Sequence, residues 1–395
     1  MVKWNRGLRV LGAAAVGVLV LARVASASAD VTTEQSGSIL VWPKVVWDGT
    51  RDTIIQLTNT GNPTVQAHCF YVNAAPSVNP CAPASSQNPA QWLETDFDLF
   101  LTKQQPTHWV VSTGRQTNTF DSGDGAGFDP GLIPPVPLCF QGELKCIQTD
   151  PSNAPYPGNS LKGEATIRYS DGDVSKYNAI AFLGNTNLQN SASIGTDLQL
   201  NLTDGNPGGE YSACPDRLLV NHFAYGSPDL VNEGTVNTNL TLVPCQENFE
   251  TQTAGKVTVQ FQIFNEFEQP FSASTTVNCW LDAPLSTLTN NQATFNVLGT
   301  IGAFTRIHPN PGKCSVTTPQ VCLNGQNKGQ GCGSDDDCPG DGGVIGVAEE
   351  FHSGAAAAFN LNVEGNRFDS ATDDDGKPLV GGVVDHIVIP SDSAQ

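Results

Sequence analysis

The residues of this chain best equipped for chemistry are its cysteines and its runs of aspartate, and both crowd into CLNGQNKGQGCGSDDDCPGDGG, Cys322 to Gly343. Such a stretch could ligate zinc, ligate calcium, or close on itself through sulfur. Zinc requires cysteine or histidine ligands paired at short spacing, as in C-x2-C. Here Cys314, Cys322, Cys332 and Cys338 are separated by seven, nine and five residues, so disulfides are the expectation in an oxidising compartment. A segment this poor in apolar side chains cannot pack a core. Covalent closure would stabilise it by restricting the unfolded chain, by about 3 kcal/mol for a loop of roughly fifteen residues.

Calcium favours clustered carboxylate oxygens. The candidate ligands are Asp121, Asp124 and Asp129 in FDSGDGAGFD, Asp335 and Asp337 flanking Asp336, and Asp373 and Asp375 in ATDDDGKP. None completes a known loop, because aligning Gly376 with the EF-hand glycine places Ala371 and Gly382 at the two terminal ligand positions. Gly125-x-Gly127-x-Asp129 lacks the tandem copies of a calcium-binding nonapeptide repeat. Calcium is therefore expected at most as a stiffener of acidic turns, and no other cofactor is predicted.

Nucleophilic catalysis has weaker grounds. There is no G-x-S-x-G elbow, and GNSLKG at Gly158 has the wrong spacing. His68, His108, His222, His308, His352 and His386 are dispersed, without an H-x-H or H-E-x-x-H pair. His68 projects opposite to Ala67 and Cys69, so an outer-face position with a local hydrogen bond is expected. Glu266 and Glu268 share the polar side of a strand end, where a solvated face is the simplest reading; a glycosidase pair is defined by three-dimensional separation. No catalytic residue is assigned. Trp42 and Trp47, in LVWPKVVWDGT, are candidate ligand-stacking residues, whereas Trp109 and Trp280 continue apolar strands and should fill cores.

The compartment follows from the other end of the chain. Lys3, Arg6 and Arg9 precede an apolar run from Val10 to Ala22, and VASASAD offers small residues for cleavage at Ala27 or Ala29. Residues 1–29 read as a secretory signal peptide, removed on export to the periplasm, the cell surface or the medium. No later run approaches the roughly 18 apolar residues of a membrane span. With 39 acidic against 19 basic residues and a net charge of −20, the chain repels nucleic acid and anionic lipid. Its eleven cysteines all follow the signal. The disulfide candidates are Cys69, Cys81, Cys139, Cys146, Cys214, Cys245, Cys314, Cys322, Cys332 and Cys338, with sequence neighbours Cys69–Cys81 and Cys139–Cys146 as the first guesses. An odd count leaves one thiol free or paired outside the chain.

Periodicity dictates the elements that must carry these groups. In KVTVQFQIFNEFEQPFSASTTVNCW, Val257, Val259, Phe261 and Ile263 alternate with polar residues, and Phe271, Ala273, Thr275 and Val277 continue the same face, a hairpin with one side in a core. RDTIIQLTNTGNPTVQAHCFYVN has the same plan around Gly61-Asn62-Pro63, suggesting either a duplication or two ordinary hairpins. FDLFLTKQQPTHWVVSTGR reads as strand, turn, strand, and EATIRYSDGDVSKYNAIAFL as a hairpin reversing at Asp171-Gly172. Helical spacing is almost absent; SGAAAAFN is the short exception. Two long stretches, 117–137 and 185–215, read as surface loops. The chain exceeds one domain of about 100–200 residues. The expected organisation is all-β: a first β-sandwich over 30–247, a boundary near VPCQENFETQT, and a second over 248–395 carrying a Cys-rich insertion at 308–343, between TFNVLGTIGAFTRI and GGVIGVAEEF.

GSILVWPKVVW, DTIIQLTNT and HCFYVN resemble exported bacterial proteins built from tandem immunoglobulin-like sandwiches, a likeness that implies fold rather than activity. Cys322, Gly325, Gly329, Cys332, Asp335, Asp337, Cys338, Pro339 and Gly340 resemble a short Cys- and Asp-rich element of secreted deltaproteobacterial proteins. Val344 stands where that pattern has a final cysteine, leaving Cys314 as the candidate fourth sulfur. The function expected is a non-enzymatic secreted or cell-surface protein that contacts glycan or an extracellular protein through its loops. The alternatives are a secreted carbohydrate-active hydrolase and a self-assembling surface-layer or appendage subunit, linked through the odd cysteine.

Overall fold

The computed structural model describes residues 31–84, 88–117, 129–188, 199–202, 210–310, 314–323, 328–333, 341–353, 355–366 and 385–390. Residues 1–29, the expected signal peptide, lie outside them, as do Asp121, Asp124, Asp335, Asp337, Asp373, Asp375, Cys338 and much of the two long loops.

The fold is all-β. The first sandwich uses β1 (Ile39–Trp47), β2 (Arg51–Asn59), β3 (Val65–Asn73), β4 (Leu93–Leu101), β5 (Pro106–Val110), β6 (Phe140–Thr149), β7 (Leu161–Tyr169), β8 (Val174–Asn178) and β9 (Ile180–Phe182). One sheet runs β4-β3-β6-β1-β9 and the other β5-β2-β7-β8, all antiparallel. They join where the chain turns from β1 into β2, at the pair Trp47–Asp52, and through a bridge between Gly37, just before β1, and Leu161 of β7. Trp42, Leu57, Cys69, Leu99, Trp109, Leu144 and Ile167 fill the space between them. Trp42 lies against Gly163, where a Cβ would meet its ring at 2.1 Å.

Next come β10 (Gln199–Leu202), β11 (Pro215–Phe223), β12 (Ser227–Pro228), β13 (Thr235–Pro244), β14 (Glu247–Asn248), β15 (Lys256–Asn265), β16 (Pro270–Asn278) and β17 (Leu281–Pro284). The last are β18 (Gly302–Pro309), β19 (Val344–His352), β20 (Ala355–Asn360), β21 (Asn362–Asn366) and β22 (Asp385–Val388). The second sandwich packs the sheet β16-β15-β18-β11-β21 on the sheet β12-β13-β19-β20, with β17 also on β13. Its core holds Leu218, Leu242, Phe261, Ile263, Leu285 and Ile307. A three-stranded sheet, β10-β22-β14, completes the fold.

Alternation survives only where one face is wet. β7 alternates between buried and half-exposed positions over Leu161–Ile167, and β15 does so over Val257–Asn265. β1, β3 and β6 are buried on both faces along almost their whole length. The reason is a third core, in which Ile39, Val41 and Phe70 on the back of the first sandwich meet Val243, Trp280 and Ile345 of the second and Leu202, Phe249 and Ile387 around the small sheet. Near-continuous apolar strands are what two-sided burial demands.

Several expectations change. The β15–β16 and β7–β8 hairpins form as read, the latter turning through Gly172 at φ +97°. β2 and β3 do not pair: they lie in opposite sheets, as do β4 and β5, so these turns are arches across the sandwich. SGAAAAFN contributes β20, its alanines extended by pairing with β19. Within TFNVLGTIGAFTRI, Phe295–Leu298 forms a helical turn ended by Gly299 at φ +69°, and the strand starts at Gly302. Strand partnership also departs from the partition near VPCQENFETQT, because β11 and β13, upstream of it, pair with β18 and β19. These long-range pairings leave no mark in local composition. The Cys-rich insertion connects β18 to β19, strands of different sheets of the second sandwich.

Candidate functional site

The disulfides connect differently from the sequence-neighbour guesses. Cys69 and Cys146 stand directly opposite on β3 and β6, with Cα atoms 4.0 Å apart. Cys81 joins Cys139, Cys214 joins Cys245 across the ends of β11 and β13, and Cys314 joins Cys332. Cys322 is also disulfide-bonded. Strand register overrides proximity in sequence. The free thiol is Cys279, 1% exposed, its Sγ 3.9 Å from the Gln91 carbonyl. Buried in this way, it offers no sulfur for an intermolecular link.

Trp42 is fully buried and cannot stack on a ligand, and Trp47 is packed against the first core. Trp109 and Trp280 are core residues; their indole nitrogens donate to Tyr71 Oη at 2.5 Å and to the Pro43 carbonyl at 2.7 Å. Asp129 lies against Arg115 Nη1 at 2.7 Å and accepts from the Gly131 amide at 3.0 Å. Among the described residues no group of three His, Cys, Asp or Glu side chains is placed to hold a metal. Glu266 fastens a turn, accepting from the Gly302 amide at 2.7 Å, and Glu268 occupies the β15–β16 turn at φ +61°.

Buried charge concentrates between the sandwiches. A bulge in β1 at Pro43-Lys44 interrupts its register with β6, as a strand proline requires, and Lys44 Nζ reaches Asp282 at 2.8 Å and Glu349 at 2.5 Å. Lys145 pairs with Glu247 and approaches Glu143 at 3.8 Å. Burial, reinforced by Glu247, pushes the Glu143 carboxyl far up.

His68 sits on that outer face, as expected, but as a cation. It is 5% exposed, stacked on Phe70, with Asp98 at 3.2 Å and Asp96 at 3.4 Å. Burial opposes its charge, yet the two carboxylates outweigh burial and raise its pKa to about 9. Nearby Glu94 is lifted to about 7 by burial and by Asp96. His68 therefore contributes stability that is complete below its ordinary value of 6.5 and is lost as pH rises to about 9. Thermal melts of the native protein and His68→Gln should differ most near pH 6 and converge above about pH 9; a gap that widened with pH would refute this pairing.

The arrangement most suited to a ligand lies on the second sandwich, where a groove of about 510 Å³ is lined by Asn221, Phe223, Phe264, Glu266, Phe304 and Glu350, among others. Register builds it. Phe264, Phe304 and Asn221 are directly opposed on β15, β18 and β11, forming a row across the sheet. The Phe264 and Phe304 rings are stacked with centroids 6.4 Å apart, and the Arg306 guanidinium lies 6.0 and 5.8 Å from them. Gln262 and Arg306 form the next row. At the groove's edge, burial depresses His222 to about 4. Neutral there, it bonds the Phe223 carbonyl at 2.9 Å and Thr305 Oγ1 at 2.8 Å, a structural histidine. Burial raises the Glu350 carboxyl.

Sequence reading passed over this groove, although a signal was there. Phe264 interrupts an otherwise polar series, Thr258, Gln260, Gln262, on the solvent side of β15, and a large apolar residue on a wet strand face calls for a reason. The chain matches no family model, and no curated protein or solved structure matches it at a significant level.

Proposed function

We propose that this is an exported, non-enzymatic binding protein that presents the Phe264–Phe304–Asn221 row to a glycan. The observation that carries the reading is that row itself: two stacked rings backed by an arginine, with the Asn221 side chain and two glutamates lining the same groove. Flat apolar faces flanked by a few convergent polar groups suit sugars, which pair C–H faces with hydroxyl edges. The frame supports it, since β11, β15 and β18 pair into one sheet over the second core and the Cys214–Cys245 bond ties the start of β11 to the end of β13, a rigid support that keeps binding from costing order. Export is supported by the leader-like N-terminus and by disulfides that persist only in oxidising surroundings. No helix among the described residues is long and apolar enough to cross a membrane.

A glycan screen followed by calorimetry tests it. Phe264→Ala and Phe304→Ala are each expected to weaken the selected glycan by about tenfold, some 1.4 kcal/mol, without altering the melt. Unchanged affinity in both variants would remove the groove from consideration. A second reading, a secreted carbohydrate hydrolase, draws on Glu266 and Glu350 bordering the same groove, the latter raised in the manner of a general acid. Turnover of a bound glycan that Glu350→Gln abolishes would establish it in place of the binding reading.

A further inference from the structure

Among the described residues the nine-residue strand β16, PFSASTTVN, is the outermost strand of its sheet, and it pairs along its full length with β15 without a bulge. Natural sheets blunt such edges with charge, proline, brevity or cover, and the other edges here do so. β4 carries Glu94, Asp96 and Asp98, and the Pro130 carbonyl accepts from the Phe100 amide. β8 and β20 are latched together through Asn178 and Asn360. β5 begins at Pro106 and has five residues, and β12 and β17 have two and four, each with a proline. β16 has no charged residue, and its one proline is at its first position, beside the turn. Its inward side chains Phe271 and Ala273 are only half-buried against the core, as though one strand were missing.

We infer that β16 is a self-association edge, which pairs antiparallel with β16 of a second copy about a two-fold axis through Ser274. The sequence is self-complementary in that register. Phe271 meets Val277 on the inner face, an aromatic–β-branched pair, and Ser272 meets Thr276 on the outer face, both favourable across strands. Charge selects the antiparallel arrangement. Glu266 and Glu268 lie in the turn at one end of β16, and Lys256 lies beside Asn278 at the other, so two-fold pairing sets each acidic turn at the lysine-bearing end of the other copy and keeps the two acidic turns apart. A closed two-fold pair consumes both edges and stops at a dimer. It extends the five-stranded sheet into one continuous sheet, with both aromatic rows on the same face. The inference does not depend on what the rows bind.

Sedimentation of the purified native protein over a concentration series should show a monomer–dimer equilibrium. Ser274→Lys brings two ammonium groups face to face at the axis and should leave only monomer, with the melt of the monomer unchanged. Ser274→Cys places two sulfurs within disulfide reach of opposed antiparallel positions, and a disulfide-linked dimer should accumulate without reductant. Three results would overturn the proposal: native protein that is monomeric at every concentration, including one that captures a foreign extended peptide at this edge; dimers that survive Ser274→Lys; and dimers in which Ser274→Cys does not cross-link.

Discussion

Lys44→Ala will destabilise the protein by about 3–5 kcal/mol at neutral pH, the range found when one partner of a buried ion cluster is removed. Lys44 is 1% exposed, and its ammonium is the nearest counter-charge of two carboxylates. Asp282 receives it through both oxygens at 2.8 and 2.9 Å while accepting from Thr241 Oγ1 at 2.8 Å. Glu349 accepts from Tyr169 Oη at 2.7 Å and Ser175 Oγ at 3.0 Å. Burial works against the charge on Lys44, but the two carboxylates outweigh it and the net shift is upward. Burial would likewise lift Glu349, and Lys44 with the two hydroxyls brings it below its ordinary 4.5. Glu349 thus adds stability at neutral pH that disappears as pH falls through its depressed value. Without Lys44 the shift of Glu349 reverses, because its buried carboxylate loses the counter-charge that offsets burial and the variant gains by taking up a proton. Denaturant unfolding at pH 7 and pH 4 should show the deficit narrowing on acidification. Lys44→Met combined with Asp282→Asn and Glu349→Gln removes all three charges and should recover much of the loss; a loss of similar size in the triple variant would show that side-chain packing, not charge, holds this joint.

That joint also marks the limit of what the sequence revealed. Strands with one wet face announced themselves: Val257, Val259, Phe261 and Ile263 alternate cleanly, and β15 and β16 form the hairpin they imply. Strands buried on both faces carry no period, so ILVWPKVVW had no strand signal of its own, and VQAHCFYVN, read as one arm of a hairpin, did not show what covered its back. Lys44, Lys145 and Glu143 were the clue. A lone charge inside a continuous apolar strand requires a buried partner, and here those partners are Asp282, Glu349 and Glu247, more than a hundred residues downstream. Turn chemistry was legible in its geometry but not in its destination. Gly61-Asn62-Pro63 does reverse the chain, yet it carries it from one sheet to the other, because β2 pairs with β7 and β3 with β6. The groove was half visible, as Phe264 on a polar face, but Phe304 and Asn221 join it only through the register of β11, β15 and β18.

Cys69→Ala with Cys146→Ala should cost about 3 kcal/mol, less than a free-standing cross-link of that span would suggest. The sequence separation is 77 residues, which alone corresponds to roughly 4–5 kcal/mol of loop-closure entropy. Cys81–Cys139, however, closes a loop of separation 58 inside it. While that inner bond stands, the outer one constrains only the two short arms, Cys69 to Cys81 and Cys139 to Cys146, a ring of roughly twenty residues worth about 3 kcal/mol. The same reasoning holds with the two bonds exchanged, so either pair removed alone has a moderate effect. With both pairs gone the whole loop is released, and the loss should reach about 7 kcal/mol, comparable to the entire stability of many domains. Cys69 and Cys146 are also fully buried in the first core, so the double variant is expected to lose the cooperative near-ultraviolet transition at 37 °C while each single pair retains it. Replacing Cys314 and Cys332 by serine, which opens a loop of separation 18 outside the three large cores, should leave the main transition in place. Denaturant titrations of the variants decide the matter: a loss of roughly 4–5 kcal/mol from either pair removed alone would mean that the nested rings do not share their constraint, and that native packing around the sulfurs dominates instead.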